Sequence, residues 1–440
     1  MRSRMGIEKL KKKIRSKKAA VGVIGLGYVG LPLALTFAKK GFRVIGIDIS
    51  ESRIDKLRKK ISYISDVSNA ELKKAFKSGS FHVTTLLKAI KKLDAVIICV
   101  PTPLTKKRRP DMSYIRKAVT KVKNNIKKGQ IVVLESTTYP GTTKEILLPI
   151  LESTGLKEGK DFYLAFSPER IDPANRVYKT ENTPKVIGGA SVRSTGLANV
   201  LYGQVIERVV PVSSTGAAEM VKLLENTFRI VNTALVNELA TLCNKLNLDI
   251  WDIIEAAKTK PYGFMPFYPG PGVGGHCIPV DPLYLSWKAK RHGFETKFID
   301  LASSVNEAMP GYVVHRIENI FKKRKKKLKN AKILILGIAY KKGVRDLRES
   351  PALGIIRLLQ AKKADLAYND PYFPFLKIDG INLRRADLDR KSLRTFDAAV
   401  LVTDHANFDY KTIAANLKII FDTRNAFEKA NVRTGNIARL

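Results

Sequence analysis

The segment that most constrains the fold is a strand, a glycine-rich turn, a helix and a second strand, VGVIGLGYVGLPLALTFAKKGFRVIGIDIS, at residues 21–50. Gly25 permits the tight turn, Gly27 lets a pyrophosphate approach the backbone, and Gly30 lets the helix pack on the strand. The N–H groups at the helix N-terminus would hold the phosphates, and Asp48, 18 residues after Gly30, would accept hydrogen bonds from a ribose. The segment therefore predicts a dinucleotide-binding domain rather than a glycine turn in a non-binding α/β domain.

The acid at the end of the second strand also indicates which dinucleotide is bound. The negative charge of Asp48 would repel a 2′-phosphate, so the pattern favours NAD over NADP. Arg53, five residues later, is a nearby cation that works against this preference.

The rest of the chain repeats the α/β pattern around a helical middle. The β-rich runs that alternate with helical patterns are 21–24, 43–47, 95–100, 131–135, 162–166 and 185–188, and later 332–337, 365–369, 398–402 and 418–421. Between the two series, residues 215–246 have apolar side chains at helical spacing, and a Pro/Gly-rich loop covers 261–282. We therefore expect an α/β protein in which a helical central domain joins two Rossmann-like doubly wound domains.

The predicted boundaries are 1–18 for a basic N-terminal extension, 19–210 for the NAD-binding domain, 211–312 for the central helical domain and 313–440 for the C-terminal domain. We expect no fixed structure for the extension. Neither a transmembrane stretch nor a signal-peptide core is evident, which predicts a cytoplasmic protein without membrane insertion.

The formal net charge is +39, from 79 Lys and Arg against 40 Asp and Glu. Such a charge raises the possibility of nucleic-acid or anionic-membrane binding. The basic residues are spread along the chain without interleaved aromatic residues, so we favour a lysine-solvated surface and expect no specific nucleic-acid partner.

Three cysteines predict a reduced protein without a disulfide framework. Cys99 and Cys243 lie in apolar patterns typical of packed thiols. Cys277 lies instead in the polar, glycine-rich segment FYPGPGVGGHCIPVDP, whose small residues would let a substrate approach the thiol. Candidate helpers for forming its thiolate are His276, Asp281 and a nearby lysine.

At this point the chain resembles the UDP-glucose/nucleotide-sugar 6-dehydrogenase family. The matching segments are GLGYVGLPLA at 25–34, VPTPL at 100–104, ESTTYPGTT at 135–143, FSPERIDP at 166–173, TGAAEMVKLLENTFR at 215–229, PGPGVGGHCIPVDP at 269–282 and GIAYKKGVRDLRESPA at 337–352. They follow the expected order over nearly the whole chain, and the cysteine loop looks most like the UDP-N-acetylglucosamine branch.

The resemblance implies a four-electron oxidation of the C6 alcohol of a UDP-sugar, with NAD as the oxidant and no release of the aldehyde. The product would be a uronic acid for cell-surface polysaccharide synthesis. Cys277 would add to the aldehyde, and water would later hydrolyse the resulting thioester. The resemblance also implies a homodimer through the central helices, and it implies no metal.

The resemblance carries roles onto particular residues. Besides the nucleophile Cys277, the implied catalytic residues are Lys222, Asn226, Asp281, Glu169 and Thr137. The implied cofactor contacts are Gly25, Gly27, Tyr28, Val29, Gly30, Asp48, Arg53, Pro101, Thr102, Thr137 and Arg348. The implied substrate contacts are Glu169, Lys222, Asn226, Tyr268, Gly274 and Lys341. Lys222 would steady an oxyanion at C6, with Asn226 beside it on one helix face.

Two departures from the UDP-glucose pattern affect the choice of sugar. Pro173 stands where that branch has a second glutamate, and the loop 260–269 differs where a sugar-contacting arginine is expected. Both favour a sugar with another C2 substituent, with UDP-N-acetylglucosamine first and UDP-glucose or UDP-N-acetylmannosamine as alternatives. An aldehyde-releasing two-electron dehydrogenase and a basic binding protein on a dehydrogenase scaffold are the competing classes.

Overall fold

The computed structural model describes residues 2–64, 66–105, 107–172, 175, 177–275 and 277–440, with side chains from Gly6 onward. The candidate thiolate helper His276, and Pro173 with its bearing on the sugar, lie outside the described residues. The chain forms two compact units, Met1–Glu225 with Leu283–Phe294 (unit 1) and Asn226–Pro282 with Glu295–Leu440 (unit 2). This grouping leaves the division into three domains as a prediction.

The described part of unit 1 contains one eight-stranded sheet. Its strands are β1 Ala20–Ile24, β2 Arg43–Ile47, β3 Phe81–Thr84, β4 Ala95–Ile98, β5 Gln130–Leu134, β6 Phe162–Phe166, β7 Lys185–Gly189 and β8 Val209–Pro211. They run in the order β3-β2-β1-β4-β5-β6-β7-β8, and the ladders are parallel except between β6 and β7. Parallel pairing brings the carboxyl ends of β1, β2, β4, β5 and β6 to one edge, where ligands bind in such sheets.

One helix precedes β1, and short helices connect most of the strands that follow. They are α1 Arg2–Arg15, α2 Gly30–Lys39, α3 Glu51–Arg58, α4 Asn69–Lys77, α5 Ser113–Lys123, α6 Leu148–Glu152 and α7 Val192–Tyr202, with a 3-10 segment at Leu87–Lys92 and a π-helical segment at Thr143–Leu147. Apolar side chains from these helices pack on buried, β-branched strand residues such as Val21, Val23 and Val133.

The N-terminal segment differs from our expectation, because residues 2–15 form helix α1. Ile7, Leu10 and Ile14 recur at helical spacing and are buried in the core of unit 1. Lys13 also forms a 2.9 Å ion pair with Asp94, whose other oxygen accepts a hydrogen bond from the N–H of Ala20. The apolar stripe, hidden among lysines in the sequence, therefore orders the extension.

Four helices make up the middle of the chain: α8 Thr215–Lys245, α9 Ile250–Ala257, α10 Cys277–Lys290 and α11 Lys297–Lys323. The long central helix predicted for 215–246 is thus confirmed to within one residue. Helices α8 and α10 each pass from one unit into the other along the chain.

The described part of unit 2 carries the second sheet. Its strands are β9 Lys332–Leu336, β10 Asp365–Asn369, β11 Leu376–Ile378, β12 Ile381–Arg385, β13 Ala398–Leu401, β14 Ile420–Asp422 and β15 Ile437–Arg439, in the order β11-β12-β10-β9-β13-β14-β15. The helices are α12 Pro351–Ala361, α13 Arg390–Leu393, α14 Tyr410–Asn416 and α15 Ala426–Lys429. The ladders are parallel except between β11 and β12.

The predicted fold class is confirmed, with two Rossmann-like sheets and a helical middle. Within the residues described, no helix has the length and apolar character needed to cross a membrane.

Candidate active site

In the glycine turn after β1, a Cβ would clash with neighbouring atoms at two of the three glycines and would have free space at the third. Gly25 has a φ of +90°, and a Cβ there would lie 2.5 Å from the carbonyl oxygen of Cys99. A Cβ on Gly30 would lie 1.9 Å from the oxygen of Gly25, whereas no atom lies within 4 Å of a Cβ on Gly27. The turn is therefore packed at 25 and 30 and open at 27, just before α2. This arrangement fits a pyrophosphate at the helix N-terminus.

Asp48 ties this turn to the end of β2. Its buried carboxylate accepts hydrogen bonds from the N–H groups of Leu26 and Ser50, both at 2.9 Å. Arg53 Nη1 lies 3.4 Å from the same carboxylate, and its guanidinium lies over the ring of Tyr63. Asp48 therefore positions the turn, and its contact with a ribose stays a prediction.

The remaining predicted cofactor contacts of unit 1 lie in the adjoining loops. Tyr28 is exposed and Val29 is the N-cap residue of α2. Pro101 and Thr102 follow β4, and the carbonyl of the buried Thr102 accepts a hydrogen bond from Tyr284.

Thr137 lies half-buried in the loop after β5, and this loop is fixed to α8 by Glu219. The Glu219 carboxylate accepts hydrogen bonds from Gly141 N at 2.6 Å, Thr143 N at 2.8 Å and Thr143 Oγ1 at 2.7 Å. Burial raises the pKa of Glu219 to about 7 in spite of these donors. A single buried carboxylate therefore joins the loop of the predicted catalytic residue Thr137 to the helix that carries Lys222.

Glu169 and Lys222 are both buried and meet through the backbone, since Lys222 Nζ donates to the carbonyl oxygen of Glu169. The Glu169 carboxylate turns the other way, toward Lys185 Nζ at 3.4 Å. Burial opposes the charge of Glu169, but Lys185, two backbone N–H groups and Lys222 outweigh it and lower its pKa. At neutral pH this side chain is therefore an ionised, fully hydrogen-bonded carboxylate.

In unit 2, Cys277 is the first residue of α10 and its side chain is exposed. Cys99 and Cys243 are buried, so the predicted contrast among the three thiols is confirmed. Free N–H groups at a helix N-terminus favour an anion such as a thiolate. Asp281, one turn later and buried, accepts a hydrogen bond from Asn226 Nδ2.

The amide of Asn226 is fixed at both ends, because its oxygen accepts a hydrogen bond from Arg229 Nη2. The amide therefore presents its nitrogen to Asp281. This gives the carboxylate a fixed donor one helical turn from the cysteine.

The cysteine loop packs against the loop after β9. The N–H of Gly275 donates to the carbonyl of Arg348 at 2.9 Å, and a Cβ on Gly274 or Gly275 would approach Tyr340 to 2.8 or 2.7 Å. The small residues that we expected to admit a substrate are thus also required for packing on Tyr340.

The basic residues of this second loop are partly committed to other groups. Arg348 forms a bidentate pair with Asp346, which raises the pKa of Arg348, with a smaller contribution from Cys277. Lys341 is half-buried in the same loop.

Tyr268, a predicted substrate contact, packs against α9. Its ring stacks on Trp251 at 6.1 Å between centroids, and its hydroxyl donates to Glu255 at 2.6 Å. Its predicted role in binding the sugar stays a prediction.

Each unit thus brings together its own share of the predicted residues. Unit 1 holds Gly25, Gly27, Tyr28, Val29, Gly30, Asp48, Arg53, Pro101, Thr102, Thr137, Glu169 and Lys222, and unit 2 holds Asn226, Tyr268, Gly274, Cys277, Asp281, Lys341 and Arg348. The sequence did not single out Glu135, Lys185, Tyr202, Glu219 or Arg229. The available signal was a charged residue beside or within an apolar strand, as at Glu135 and Lys185.

Comparison with known proteins places most of the chain in one protein family. Models of the UDP-glucose/GDP-mannose dehydrogenase family match at residues 19–206 (NAD binding domain), 216–308 (central domain) and 334–429 (UDP binding domain).

Similar curated proteins include a UDP-N-acetyl-D-mannosamine dehydrogenase of Pyrococcus horikoshii. It is 36% identical over 418 residues, covering 94% of this chain and 97% of that protein. A UDP-N-acetyl-D-glucosamine 6-dehydrogenase of Pseudomonas aeruginosa is 38% identical over 358 residues, covering 81% and 83%.

Solved structures give the same picture. The UDP-D-ManNAc dehydrogenase of Pyrococcus horikoshii has a TM-score of 0.86 at 35% identity and covers 96% of this chain and 98% of that chain. The NDP-N-acetyl-D-galactosaminuronic acid dehydrogenase of Methanosarcina mazei Go1 has a TM-score of 0.82 at 30% identity, covering 99% and 97%. The chain therefore belongs to the UDP-glucose/GDP-mannose dehydrogenase family and is an NAD-dependent nucleotide-sugar dehydrogenase.

Proposed function

We propose that this enzyme oxidises the C6 alcohol of a UDP-N-acetylhexosamine to a carboxylate, through a thioester on Cys277. The observation that carries the proposal is the exposed Cys277 at the N-terminus of α10, with the buried Asp281–Asn226 pair one turn away. A dehydrogenase that released an aldehyde would not need a nucleophile in this position.

The proposed reaction balances as one sugar alcohol, one water and two NAD giving one carboxylate, two NADH and three protons. When bound over the glycine turn, NAD supplies the oxidising power by accepting a hydride from C6 in each of two rounds. The Cys277 thiolate adds to the C6 aldehyde to form a thiohemiacetal. Loss of a second hydride leaves a thioester, and water cleaves its C–S bond, which returns the thiolate.

The other side chains are proposed to stabilise charge and place water. Lys222 and the Asn226 amide donate hydrogen bonds to the oxygen that develops charge at C6. Asp281 receives a proton from the alcohol or the attacking water, and Thr137 orients that water.

The identity of the sugar is the finer part of the proposal. Relatives named for N-acetylmannosamine match over nearly the full chain, whereas a relative named for N-acetylglucosamine covers 81% of this chain. These names favour UDP-N-acetylmannosamine, with UDP-N-acetylglucosamine second, which reverses the order given by the cysteine loop. The match at 334–429 to a UDP binding domain supports UDP as the carrier.

The first test counts NADH formed per sugar consumed with UDP-ManNAc, UDP-GlcNAc, UDP-GalNAc and UDP-glucose. We expect two NADH per sugar and the highest kcat/KM with an N-acetyl substrate. One NADH per sugar would contradict the thioester scheme, and turnover of UDP-glucose alone would contradict the choice of sugar.

The second test replaces Cys277 with serine, which removes the thiolate nucleophile. We expect C277S to lose about 1000-fold or more in the steady-state rate, because a serine hydroxyl is far less nucleophilic at neutral pH. The matched control is C243S, a buried thiol away from the reaction, which should keep its rate within about threefold. Full activity of C277S would instead indicate an ordinary two-electron dehydrogenase.

We also propose that the enzyme is a homodimer. Leu235, Leu239, Leu242 and Leu246 follow one another along one side of α8 and just past its end, and each is between 39% and 58% exposed. Such a stripe is typical of an interface, and a second copy would cover it. Light scattering should give about twice the 49.0 kDa chain mass, and L239E/L242E should give one chain mass. The three-domain division and the cytoplasmic location remain predictions.

A further inference from the structure

Unit 1 contains a buried cluster of charged side chains that includes the predicted catalytic residue Glu169. Lys185 Nζ lies 3.0 Å from Glu135 Oε2 and 3.4 Å from Glu169 Oε2, and all three side chains are at most 10% exposed. Tyr202 donates its hydroxyl hydrogen to the other oxygen of Glu135, and its ring lies 5.3 Å from the Lys185 ammonium. The proposed chemistry uses neither Lys185 nor Glu135.

A continuous line of contacts leads from Lys185 to Lys222. Glu169 Oε2 contacts Lys185, while Glu169 Oε1 accepts hydrogen bonds from the N–H groups of Arg170 and Ile171 at 2.8 and 2.9 Å. The carboxylate therefore fixes the two peptide groups that follow it, the first of which contains the Glu169 carbonyl. The carbonyl of Glu169 in turn accepts a hydrogen bond from Lys222 Nζ.

A second connection holds the same backbone segment against α8. Arg170 Nη2 forms a 2.6 Å ion pair with Glu225, which lies three residues after Lys222 on that helix. Residues 169–170 are therefore held to α8 at two points, at the Lys222 ammonium and at Glu225 about one helical turn later.

The charges of the set balance only when Lys222 is counted. Glu135 and Glu169 provide two negative charges, and Lys185 and Lys222 provide two positive charges. Burial raises the pKa of Glu135 against the opposing effect of Lys185, whereas the pKa of Glu169 is lowered. Removing either lysine would leave an uncompensated buried carboxylate, a costly arrangement in a protein interior.

We propose that Lys185 is a positioning residue for the oxidation, because it orients the Glu169 carboxylate and thereby the peptide carbonyl that holds Lys222. This inference rests on the proposed role of Lys222 in the function above. It also gives Glu169 a different part from the direct catalytic role implied by the resemblance: its carboxylate anchors the backbone, and its carbonyl holds the lysine. Lys185 touches no reacting atom and acts only through these contacts.

The test is a double-mutant cycle in the full-length enzyme with the sugar that it turns over best. Lys185→Met keeps the length of the side chain and removes its charge, and Lys222→Ala removes the residue through which it should act. We expect K185M to lower kcat by about 30-fold or more, and to leave the KM for NAD within about twofold. In the K222A background, K185M should change kcat by less than about twofold, because the two residues act along one line of contacts.

Charge rescue separates positioning from a merely structural role. Adding Glu135→Gln to K185M removes the surplus negative charge, and we expect it to recover about fivefold or more of the lost kcat. The control is Lys39→Met, which removes an exposed ion pair with Glu181 in the same unit and should leave kcat within about twofold.

The outcomes are distinct. Turnover by the wild-type enzyme tests the proposed function, whereas the comparison among variants tests Lys185. A folded K185M whose kcat is within threefold of wild type would overturn the proposal. It would also be overturned if the losses of kcat in K185M and in K222A multiplied in the double variant. If K185M does not fold, the charge-balanced K185M/E135Q replaces it, and a wild-type kcat in that variant overturns the proposal equally.

Discussion

The first strand of each unit along the chain is followed by a similar glycine turn, and the two turns would offer different groups to a bound phosphate. In unit 1, β1 is followed by Gly25, and the next N–H, from Leu26, donates to Asp48 after β2 at 2.9 Å. In unit 2, β9 is followed by Gly337, with a φ of +79°, and the next N–H, from Ile338, donates to Asp370 after β10 at 2.8 Å. Strand, glycine and anchoring aspartate are thus common to both units.

The two turns differ in the segment that comes after the glycine. In unit 1, helix α2 starts at Gly30, so the turn presents its own N–H groups and the end of a helix dipole. In unit 2, helix α12 starts only at Pro351, and the intervening loop carries Tyr340, Lys341 and Arg348. The first turn suits recognition of phosphate by backbone, whereas the second suits recognition by side chains.

The anchoring aspartates also differ in their surroundings. Asp48 pairs with Arg53, which is 47% exposed, whereas Asp370 pairs with the fully buried His405 at 3.0 Å. In unit 1, whose turn suits recognition of phosphate by the backbone, Asp48 lies beside the solvent-exposed Arg53. In unit 2, whose loop suits recognition by side chains, the fully buried Asp370–His405 pair fixes the loop.

The largest effect on ligand binding that we expect comes from a side chain placed on the open glycine of the first turn. A valine at Gly27 has free space, so G27V should fold, but its methyl groups would occupy the approach to the pyrophosphate. We predict a loss of about 100-fold or more in NADH affinity by fluorescence titration, with UDP affinity unchanged.

The matched control for this substitution is Gly196→Val, which has similarly open space on α7. Equal losses of NADH affinity in both variants would show that the first turn does not recognise phosphate through its backbone.

The second prediction compares the two anchors by stability. Asp370→Ala leaves His405 and the N–H groups of Ile338 and Ala339 without a buried acceptor, and should lower the free energy of unfolding by about 3–5 kcal/mol. Asp48→Ala should cost less, about 2 kcal/mol, because Arg53 can turn to water. Urea unfolding measures both variants, and an equal cost would remove the distinction between the anchors.

The pH dependence of the second anchor has a definite sign. Burial opposes ionisation of Asp370, but hydrogen bonds from His405 and from the backbone outweigh it and lower its pKa below 3.8. Its contribution to stability is therefore present above that unfolded value and is lost as the pH falls through the folded pKa. The gap between the wild type and D370A should narrow below about pH 4.

The smallest effect tests side-chain recognition in the second turn. Lys341→Ala should raise the KM for the UDP-sugar by about tenfold, the equivalent of one charged hydrogen bond to phosphate, with the KM for NAD unchanged. Lys342→Ala, an exposed neighbour near Asp404, should change neither constant by more than about twofold. A larger effect at Lys342 would reassign the phosphate contact within the loop.

The sequence predicted most of the central strands because they are buried on both faces and rich in Val and Ile, as in β1, β4, β5 and β9. It missed β3, β8, β11, β12 and β15, which are three to five residues long and include polar or exposed positions. Helix α1 was hidden for a similar reason, since only three apolar residues mark its buried side.

In the candidate site, too, the residues that the sequence revealed are those with a strong local pattern. The glycine turn and Cys277 were found because their chemistry depends on local sequence. Lys185, Glu135 and Glu219 act through partners between 16 and 78 residues away, and linear sequence does not show which lysine or glutamate becomes buried. Tertiary packing determines which of these side chains becomes buried, and it also orients the Glu169 carboxylate away from Lys222.

The position of α1 also has a consequence for how unit 1 is made. This helix packs against α7, which ends at Tyr202, so α1 leaves the ribosome almost 190 residues ahead of its partner. At about 5–20 residues per second, Ile7, Leu10 and Ile14 wait roughly 10–40 s before they can be covered. The contact between α1 and α7 can therefore form only after most of unit 1 has been synthesised, so the docking of α1 is a late step in the folding of that unit.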